Sequence, residues 1–492
     1  MERKLALRAA FCAGVGCSIA FSAQADLISL TEQLDSPIEI AAARANQAVY
    51  DALTNPLQNG GAICDPLLRA DPGQGRCTGQ VFQVFSHVRE LVQNANELTG
   101  GGPTAFSLGL DARGLGFALR WTAAEEIAAQ GTSATQFSGS QLNSLASRLT
   151  ALRFGARGFR VARSDSDQEW LAASGVAPLG GGASADSDLV KRWGGFLDGS
   201  FGYGRRDDTS KLATPGNEDA FDYDGYDVTG GLDYRFNDHT VAGVLFGFTH
   251  RRIDFDSSAS VVDGSIKSRG ESLMFYSLWE SDAFFASGSL GLQKLGHDFV
   301  RRINYPSINP LIQPIDETAL SSTDSSAWLG SFSVGYDLRH AGFTLEPYLR
   351  ADYQKITIDA FTEHNASGFD LHYGEQHITS LDAAFGLRMQ YAFTPSFGVI
   401  VPFVRAEAHK DLRNKRRTID ATYSGVLQSL GLQGPQNFAL QTDKPDQQFY
   451  VGAAGFSLVF KHGLQAFLQY QKSFAIEHID DQAIAGGLRL EF

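Results

Sequence analysis

The amino-acid sequence predicts an all-β transmembrane barrel of twelve antiparallel strands over residues 193–492, preceded by a small, mainly α-helical N-terminal region. Three observations predict this fold. The spacing of apolar residues changes to two near residue 190, short and long connections alternate after that point, and aromatic residues lie beside the short ones. Short turns at one end and longer loops at the other are typical of bacterial outer-membrane barrels, which have an even number of strands.

Residues 1–25 have the three-part pattern of a secretory signal peptide. Basic residues come first, a short apolar stretch follows, and residues 23–25 form the A-x-A motif of a cleavage site. Removal of this segment leaves two of the four cysteines, Cys64 and Cys77. In an oxidising compartment, two lone cysteines at this spacing are predicted to form a disulfide.

The region 26–163 is predicted to be a mainly helical, passenger-like domain. Its clearest apolar stripe has the three-and-four spacing of an amphipathic helix. The stripe consists of Val81, Val84, Phe85, Val88, Leu91, Val92, Ala95 and Leu98. The capping-box pattern Ser138-Gly-Ser-Gln141 predicts the start of a further helix that carries arginines. Residues 164–190 are rich in Ser, Ala, Gly and Asp, which is typical of a linker.

The region 191–492 is predicted to be the barrel domain, because apolar and polar residues alternate in segments such as 226–236 and 381–393. Short turns are predicted at 237–239, 281–282, 340–341, 394–396 and 461–463, and long loops at 204–222, 254–268, 298–323, 359–376, 411–446 and 473–481. The aromatic residues beside the short turns predict a girdle at the periplasmic interface. They are Phe236, Trp279, Phe284, Phe343, Phe393, Phe397 and Phe460.

Polar positions of the alternating pattern are predicted to face the barrel lumen. They are Asp227, Asp233, Arg235, Arg350, Asp352, Arg388, Arg405 and Glu407. Two roles are open for them: solvating a guest segment in the lumen, or filling the pore with internal ion pairs. The last strand ends in alternating apolar residues and a terminal Phe, which looks like the signal that barrel-assembly machinery reads. This signature comprises Ile484, Leu488, Leu490 and Phe492.

Composition and motifs argue against several functions. Lys and Arg number 41 against 55 Asp and Glu, and the net charge of −14 disfavours a nucleic-acid partner. No apolar run reaches the roughly 18 residues of a membrane-spanning helix. We predict no catalytic residue, no cofactor and no metal site, because nucleophile-elbow, zinc-protease, P-loop and EF-hand motifs are absent. His87 is the only histidine in 26–190 and is expected to be an ordinary helix residue.

A basic run lies in the longest late loop. It contains Lys410, Arg413, Lys415, Arg416 and Arg417. One interpretation is contact with lipopolysaccharide phosphates at the outer surface, since Arg and Lys pair well with phosphate. The other is a solvated loop base whose charge is balanced by neighbouring aspartates.

The region 193–492 resembles the β-domain of autotransporters, the type V secretion proteins. The resemblance is carried by Trp193-Gly-Gly-Phe196, by residues 342–348, by 361–368 with the following Leu371-His-Tyr373, and by the closing 487–492. It implies a barrel in the Gram-negative outer membrane that assists export of its own N-terminal region. It also implies a segment threaded through the lumen, for which the linker 164–190 and the helix around 140–161 are the candidates.

The N-terminal region departs from the family pattern. Typical passengers are long parallel β-helices, whereas this one is short and helical and has no internal repeat. The main hypothesis is therefore a monomeric translocator with a short passenger that is not an enzyme. Two alternatives remain: a surface-anchored adhesin or biofilm factor with an unknown ligand, and a passive channel with a periplasmic helical domain. Outer-membrane lipid, lipopolysaccharide and the barrel-assembly machinery are the expected partners.

Overall fold

The structure is a computed structural model. It describes residues 26–57, 61–154, 192–207, 219–255, 262–413, 415–426, 438–460 and 464–491. The predicted signal peptide, the predicted linker 164–190 and residues 155–163 lie outside the described residues. The helices are α1 (Pro37–Thr54), α2 (Gln80–Thr99), α3 (Ala112–Ala123) and α4 (Ala129–Phe154), with 3-10 turns at Leu27–Gln33 and Glu125–Ala128.

Residues 26–57 and 61–128 form a helical domain that we call the helical cap. Helix α1 begins at Pro37, where the Ser36 hydroxyl accepts the Glu39 N–H at 3.3 Å and satisfies a donor of the first turn. The predicted apolar stripe of α2 is confirmed, because all its members except Leu98 are buried in the core of the cap. The predicted disulfide between Cys64 and Cys77 is present and closes the loop that precedes α2.

Twelve antiparallel strands form a closed barrel, as predicted. They are β1 (Trp193–Arg206), β2 (Phe221–Arg235), β3 (Thr240–Phe255), β4 (Asp263–Ser281), β5 (Phe284–Tyr305), β6 (Ile315–Tyr336), β7 (Phe343–Ile358), β8 (Gln376–Tyr391), β9 (Gly398–Asp411), β10 (Gln448–Phe460), β11 (Leu464–Phe474) and β12 (Ile479–Glu491). Consecutive strands pair with each other. Strand β1 pairs with β12 along its length, which closes the barrel and leaves no free edge.

The predicted long loops are wrong in extent, because several strands continue well beyond the membrane. Strands β4, β5 and β6 have 19, 22 and 22 residues, whereas about 9–11 residues suffice to cross a bilayer. The predicted loop 298–323 is thereby reduced to 306–314. The outward positions of its flanks are polar, as in a loop, but inward residues such as Phe299 and Ile303 are buried in the core of the helical cap.

Exposed apolar side chains form a band around the barrel that matches a lipid-facing surface. It includes Leu197, Leu232, Phe246, Phe275, Leu290, Leu292, Phe332, Leu349, Phe385, Val404, Leu468 and Leu488. Of the aromatic residues predicted for the girdle, all except Phe460 are exposed beside the short turns. None of the helices in the described part of the chain is long and apolar enough to cross a membrane.

Short strands at the long-loop end join the barrel to the cap. They are 361–362, 371–373, 418–423 and 438–441, and they form a small separate sheet. Helix α1 packs against the strand 438–441, and α3 packs against β5. One apolar core therefore contains residues of both the helical cap and the upper barrel.

Candidate functional site

Helix α4 lies inside the barrel and packs against the inward faces of β1–β7. Near its C-terminal end, Arg153 contacts Asp337 in the short connection after β6 at 3.2 Å. Just before its N-terminal end, the carbonyl of Ala128 accepts a hydrogen bond from Arg417 of the longest late loop at 3.4 Å. The helix therefore runs through the lumen from the long-loop end to the short-turn end. Of the two candidate lumen segments, it is the helix that occupies this position among the described residues.

The predicted start of this helix at Ser138 is wrong, because α4 begins at Ala129 and continues through Ser138. The Ser138 hydroxyl donates to the side chain of Gln293 at 3.1 Å. Gln141 accepts a hydrogen bond from the Ser272 hydroxyl at 2.9 Å. The residues that resemble a capping box thus connect the helix to the barrel wall.

Arg148 is a fully buried charge in the middle of the α4–wall contact. Its Nε and Nη2 donate to one carboxylate oxygen of Asp233 at 2.9 and 2.5 Å. The Tyr276 hydroxyl donates to the same oxygen at 3.1 Å, and the guanidinium lies 5.1 Å from the ring centre of Phe196. Charge-assisted hydrogen bonds are about twice as strong as neutral ones, so this pair fixes the position of the helix.

Arg153 makes a second charged contact at the short-turn end. Its guanidinium contacts Asp337 at 3.2 Å and Glu346 at 2.6 Å, and it lies 3.5 Å from the ring centre of Phe285. The side chains of Arg153, Asp337 and Glu346 are all nearly inaccessible to solvent. This contact closes the space between α4 and β5–β7 at that end.

Ser140 continues the polar contact toward the long-loop end. Its hydroxyl donates to Asp227 of β2 at 2.5 Å. Asp227 also accepts hydrogen bonds from Thr249 and Arg251, each at 2.7 Å. Small hydroxyl side chains let the helix approach the wall closely, while the wall supplies acceptors that satisfy them.

The rest of the lumen is a cavity of about 930 Å³ that is lined by α4, by β7–β12 and by parts of β1–β3. Charged side chains of the cavity wall form ion pairs with one another: Arg350 contacts Asp352 at 2.9 Å and Glu407 at 3.2 Å. Glu407 also accepts the Tyr348 hydroxyl at 2.6 Å. Among the described residues, no group of three or more His, Cys, Asp or Glu side chains is arranged to hold a metal ion.

The residues predicted to face the lumen fall into distinct environments. Asp227 and Asp233 contact α4, whereas Arg350, Asp352 and Glu407 line the large cavity. Asp227 also lines this cavity and pairs with Arg251 of the wall, so the two environments overlap at this residue.

The lumen narrows near the short turns. Arg388 lines a cavity of about 30 Å³ there, which also includes Ser147 and Arg489. Arg405 is the register partner of Arg388 on the neighbouring strand and donates to Gln471 at 2.7 Å, and Arg235 is partly buried.

The C-terminal signature is described only in part. Ile484 and Leu488 are exposed on the outer face of β12. The side chain of Leu490 and residue Phe492 lie outside the described part of the structure.

The residues of the basic run lie in two different environments. Arg417 turns inward and donates to Gln376 at 3.1 Å and to the carbonyl of Ala128. Lys410 is exposed on the outer face of β9. Arg417 thus belongs to the contact between α4 and the barrel, a role that sequence reasoning missed.

Buried polar contacts also hold the helical cap on the barrel. Arg301 of β5 donates to the carbonyl of Trp121 at 3.2 Å and to Glu363 at 2.9 and 2.6 Å. The Tyr423 hydroxyl donates to Asn46 of α1 at 2.8 Å. Separation of the cap would break the two hydrogen bonds that cross to it, those of Trp121 and Asn46.

A closed twelve-stranded barrel with an apolar outer band and a helix in its polar lumen defines a membrane translocator or plugged channel. Comparison with known proteins distinguishes between these two classes. The autotransporter β-domain family matches residues 194–471, more than half of the chain. The chain therefore belongs to the autotransporter β-domain family and is an outer-membrane autotransporter translocator of Gram-negative bacteria.

Curated relatives include esterase EstA of Pseudomonas aeruginosa and of Pseudomonas putida. Each is 24% identical over 309 residues, which are 62% of this chain and 43% of the relative. The chain thus spans less than half the length of these relatives.

Solved structures similar to this chain include the translocator domain of the autotransporter NalP from Neisseria meningitidis. It has 14% identity and a TM-score of 0.49, covering 75% of this chain and 100% of that one. The β-domain of the Bordetella autotransporter BrkA has 14% identity and a TM-score of 0.41, covering 61% and 99%.

Proposed function

We propose that the barrel exports the N-terminal region of its own chain and then retains it as a permanent cap on the outer surface. The observation that carries this proposal is the shared apolar core between the helical cap and the long-loop end of the barrel. In outer-membrane barrels the longer loops are extracellular. The path of α4 through the lumen connects the cap to that end without leaving the barrel.

Retention is supported by the number of independent contacts that release would break. The cap contributes Trp121 and Asn46 to buried hydrogen bonds with the barrel, and α4 adds the buried pairs of Arg148 and Arg153. Cutting the chain between cap and α4 would still leave the core contacts intact. The short passenger thus behaves as part of the folded barrel.

An antibody raised against the helical cap tests this proposal on cells that express the full chain. We expect it to bind intact cells, and we expect the cap to stay in the membrane fraction. Binding that requires permeabilisation would favour the passive channel with a periplasmic domain. Cap recovered from the medium would favour release.

We infer that the helical cap is not an enzyme, although the relatives are named esterases. His87 is its only histidine. The ring of His87 stacks on Phe369 at 4.1 Å, and its Nε2 lies 3.1 Å from the carbonyl oxygen of Ser367. The side chain of this histidine therefore contacts a barrel loop and helps to hold the cap on the barrel. Purified full-length protein should hydrolyse short nitrophenyl esters no faster than its His87→Ala variant, and a large difference would support an esterase.

A surface-adhesin role has one specific observation in its favour. The loop 306–314 projects Ile308 and Leu311 into solvent, with 70% and 82% of their surface exposed. Its backbone is held by hydrogen bonds from Ile308 and Asn309 to the carbonyl of Leu108. A rigid apolar tip on the outer surface suits contact with an unknown ligand. Loss of cell attachment in an Ile308→Ser, Leu311→Ser variant with normal surface display would favour this role.

Lipopolysaccharide contact is proposed for outward-facing basic residues just above the apolar band. Arg269, Lys355 and Lys410 are exposed on β4, β7 and β9, and among the described residues none of the three forms an ion pair. Such side chains can reach phosphate groups of the outer leaflet. Their triple replacement by Ser should reduce co-purification of lipopolysaccharide, whereas Arg417→Ser should not.

Assembly by the barrel-assembly machinery is proposed from the C-terminal signature. Ile484 and Leu488 lie on the lipid-facing side of β12, where a signal on the last strand is accessible during insertion. Leu488→Asp should lower the amount of folded barrel in the membrane more than Leu468→Asp does.

A further inference from the structure

Six charged side chains meet where the helical cap rests on the barrel, and we call them the junction cluster. They are Arg120, Glu125, Glu126, Asp219, Arg301 and Glu363, and each is at most 6% exposed. The cluster contains four carboxyl groups and two guanidinium groups. If all four carboxyl groups were ionised, the buried junction would carry an excess of negative charge, which is costly away from water.

The two guanidinium groups are already shared among three of the carboxylates. Arg120 contacts Glu125 at 2.6 Å and Asp219 at 3.5 Å. Arg301 makes two hydrogen bonds to Glu363. Glu363 and Asp219 also accept hydrogen bonds from backbone N–H groups.

Glu126 is the fourth carboxyl group of the junction cluster, and it forms no ion pair with either guanidinium group. Both of its carboxyl oxygens are buried and have no hydrogen-bond partner. Burial raises the pKa of Glu126 to about 8, with the nearby Arg301 acting against the rise. The charged and titratable groups that face it come from the cap and from four parts of the barrel: Glu125, Asp219, Arg301, Glu363 and Tyr373.

We propose that Glu126 is a proton-dependent latch between the helical cap and the barrel. In its protonated form the cap sits closed on the long-loop end. When the carboxyl group ionises, the added negative charge in the buried junction cluster favours separation of the cap from the barrel. The latch concerns only the contact between cap and barrel and does not depend on which side of the membrane the cap occupies.

The direction of the pH dependence follows from the raised pKa. The closed state holds this proton from its ordinary pKa of 4.5 up to about 8, whereas the open state loses it near the ordinary value. Closure is therefore strongest at acidic pH and weakens as pH rises through this window, then levels off. The opening constant should rise by up to about tenfold per pH unit within it.

Hydrogen exchange of α1–α3 amides in the full-length protein, held in detergent micelles, tests the latch between about pH 5 and pH 9. After correction for intrinsic exchange, the wild type should show an opening constant that rises with pH. The Glu126→Gln variant should show a much flatter profile, whereas Glu32→Gln, at an exposed position, should follow the wild type. A Glu126→Gln profile parallel to the wild type would overturn the proposal.

An infrared titration of the wild type covers the case in which Glu126→Gln does not fold. A protonated-carboxyl band that persists at neutral pH, is lost above about pH 9 and is also present in a Glu125→Gln variant supports the latch, because burial raises the pKa of Glu125 as well. The absence of such a band at neutral pH overturns it. Neither result depends on whether the cap is exported. A failure of the latch can therefore be distinguished from a failure of the proposed function.

Discussion

Helices α2 and α4 are both buried, yet they are buried in opposite kinds of surroundings. Phe85, Val88 and Leu91 of α2 are fully buried among apolar side chains of the helical cap. Ser138, Gln141 and Arg148 of α4 are equally inaccessible, but their partners are polar groups of the barrel wall. Burial alone therefore does not call for an apolar helix face, provided that every buried polar group finds a partner.

The difference sets what each helix does. An apolar face holds α2 by packing, which is non-directional, so the helix stabilises a domain core. Directional hydrogen bonds and ion pairs, together with apolar contacts of Leu142, Leu145 and Leu152 on the wall, hold α4 at one side of the lumen and leave a large cavity on the other side. The following predictions test this comparison, from the largest expected effect to the smallest.

Arg148→Met should be the most damaging single change in α4. It leaves the buried carboxylate of Asp233 without its cation, and breaking one partner of a buried pair costs about 3–5 kcal/mol. Detergent-solubilised barrel should unfold more easily, and single-channel recordings should show openings that the wild type lacks. Arg44→Met, at an exposed position of α1, serves as the matched control. Equal stability of the two variants would contradict a polar anchoring of α4.

Leu91→Ala should destabilise the helical cap and the upper barrel that shares its core, and leave the membrane-spanning part of the barrel unchanged. Truncating a fully buried leucine costs about 2–5 kcal/mol, because apolar contacts are lost and a cavity remains. Denaturant unfolding followed by far-ultraviolet circular dichroism should lose the helical transition earlier while the barrel transition keeps its midpoint. A shift of both transitions together would show that cap and barrel unfold as a single unit.

Removal of the disulfide by Cys64→Ser with Cys77→Ser should cost the cap about 3 kcal/mol, because the bond restricts the unfolded chain. Reducing agent added to the wild type should produce the same loss. The conductance of the barrel should not change, since both cysteines lie in the core of the cap. An altered conductance would mean that the cap controls the lumen directly.

Ser140→Ala should have a small effect, about 1 kcal/mol, although it removes a hydrogen bond in the lumen. Asp227 keeps its contacts with Thr249 and Arg251, so no buried charge loses its last partner. Ser326→Ala, on the outward face of β6, is the control. A loss of stability as large as that of Arg148→Met would contradict the expectation that the charged contacts of α4 contribute more than its hydroxyl contacts.

The barrel could be read from the sequence, because a wall with lipid on one side and polar lumen on the other must alternate with a period of two. The same rule failed above the membrane at 298–323, where the inward face packs in the core of the helical cap and the outward face is polar instead of lipid-facing. The apolar stripe of α2 was predicted for a similar reason, since it packs against apolar neighbours.

Helix α4 was harder to predict because its surroundings are polar. Leu142, Leu145 and Leu152 of the helix do pack against apolar wall residues. Ser138 and Gln141 nevertheless have the pattern of a helix start, although they contact Gln293 and Ser272 on the wall. The partners of Arg148 and Arg153 lie 85 and 184 residues away, so no local pattern could identify them. The one available signal was the presence of arginines on a helix that precedes a barrel with acidic lumen positions.

Thiol labelling on intact cells tests the central claim most directly, which is that the helical cap lies outside and is held through the barrel. Leu57→Cys places a thiol at a cap position that is 93% exposed, and His340→Cys places one at a short turn. Cys64 and Cys77 are joined to each other and do not compete. With a membrane-impermeant maleimide, we predict labelling of Leu57→Cys on intact cells and of His340→Cys only after permeabilisation. The opposite pattern would contradict the account.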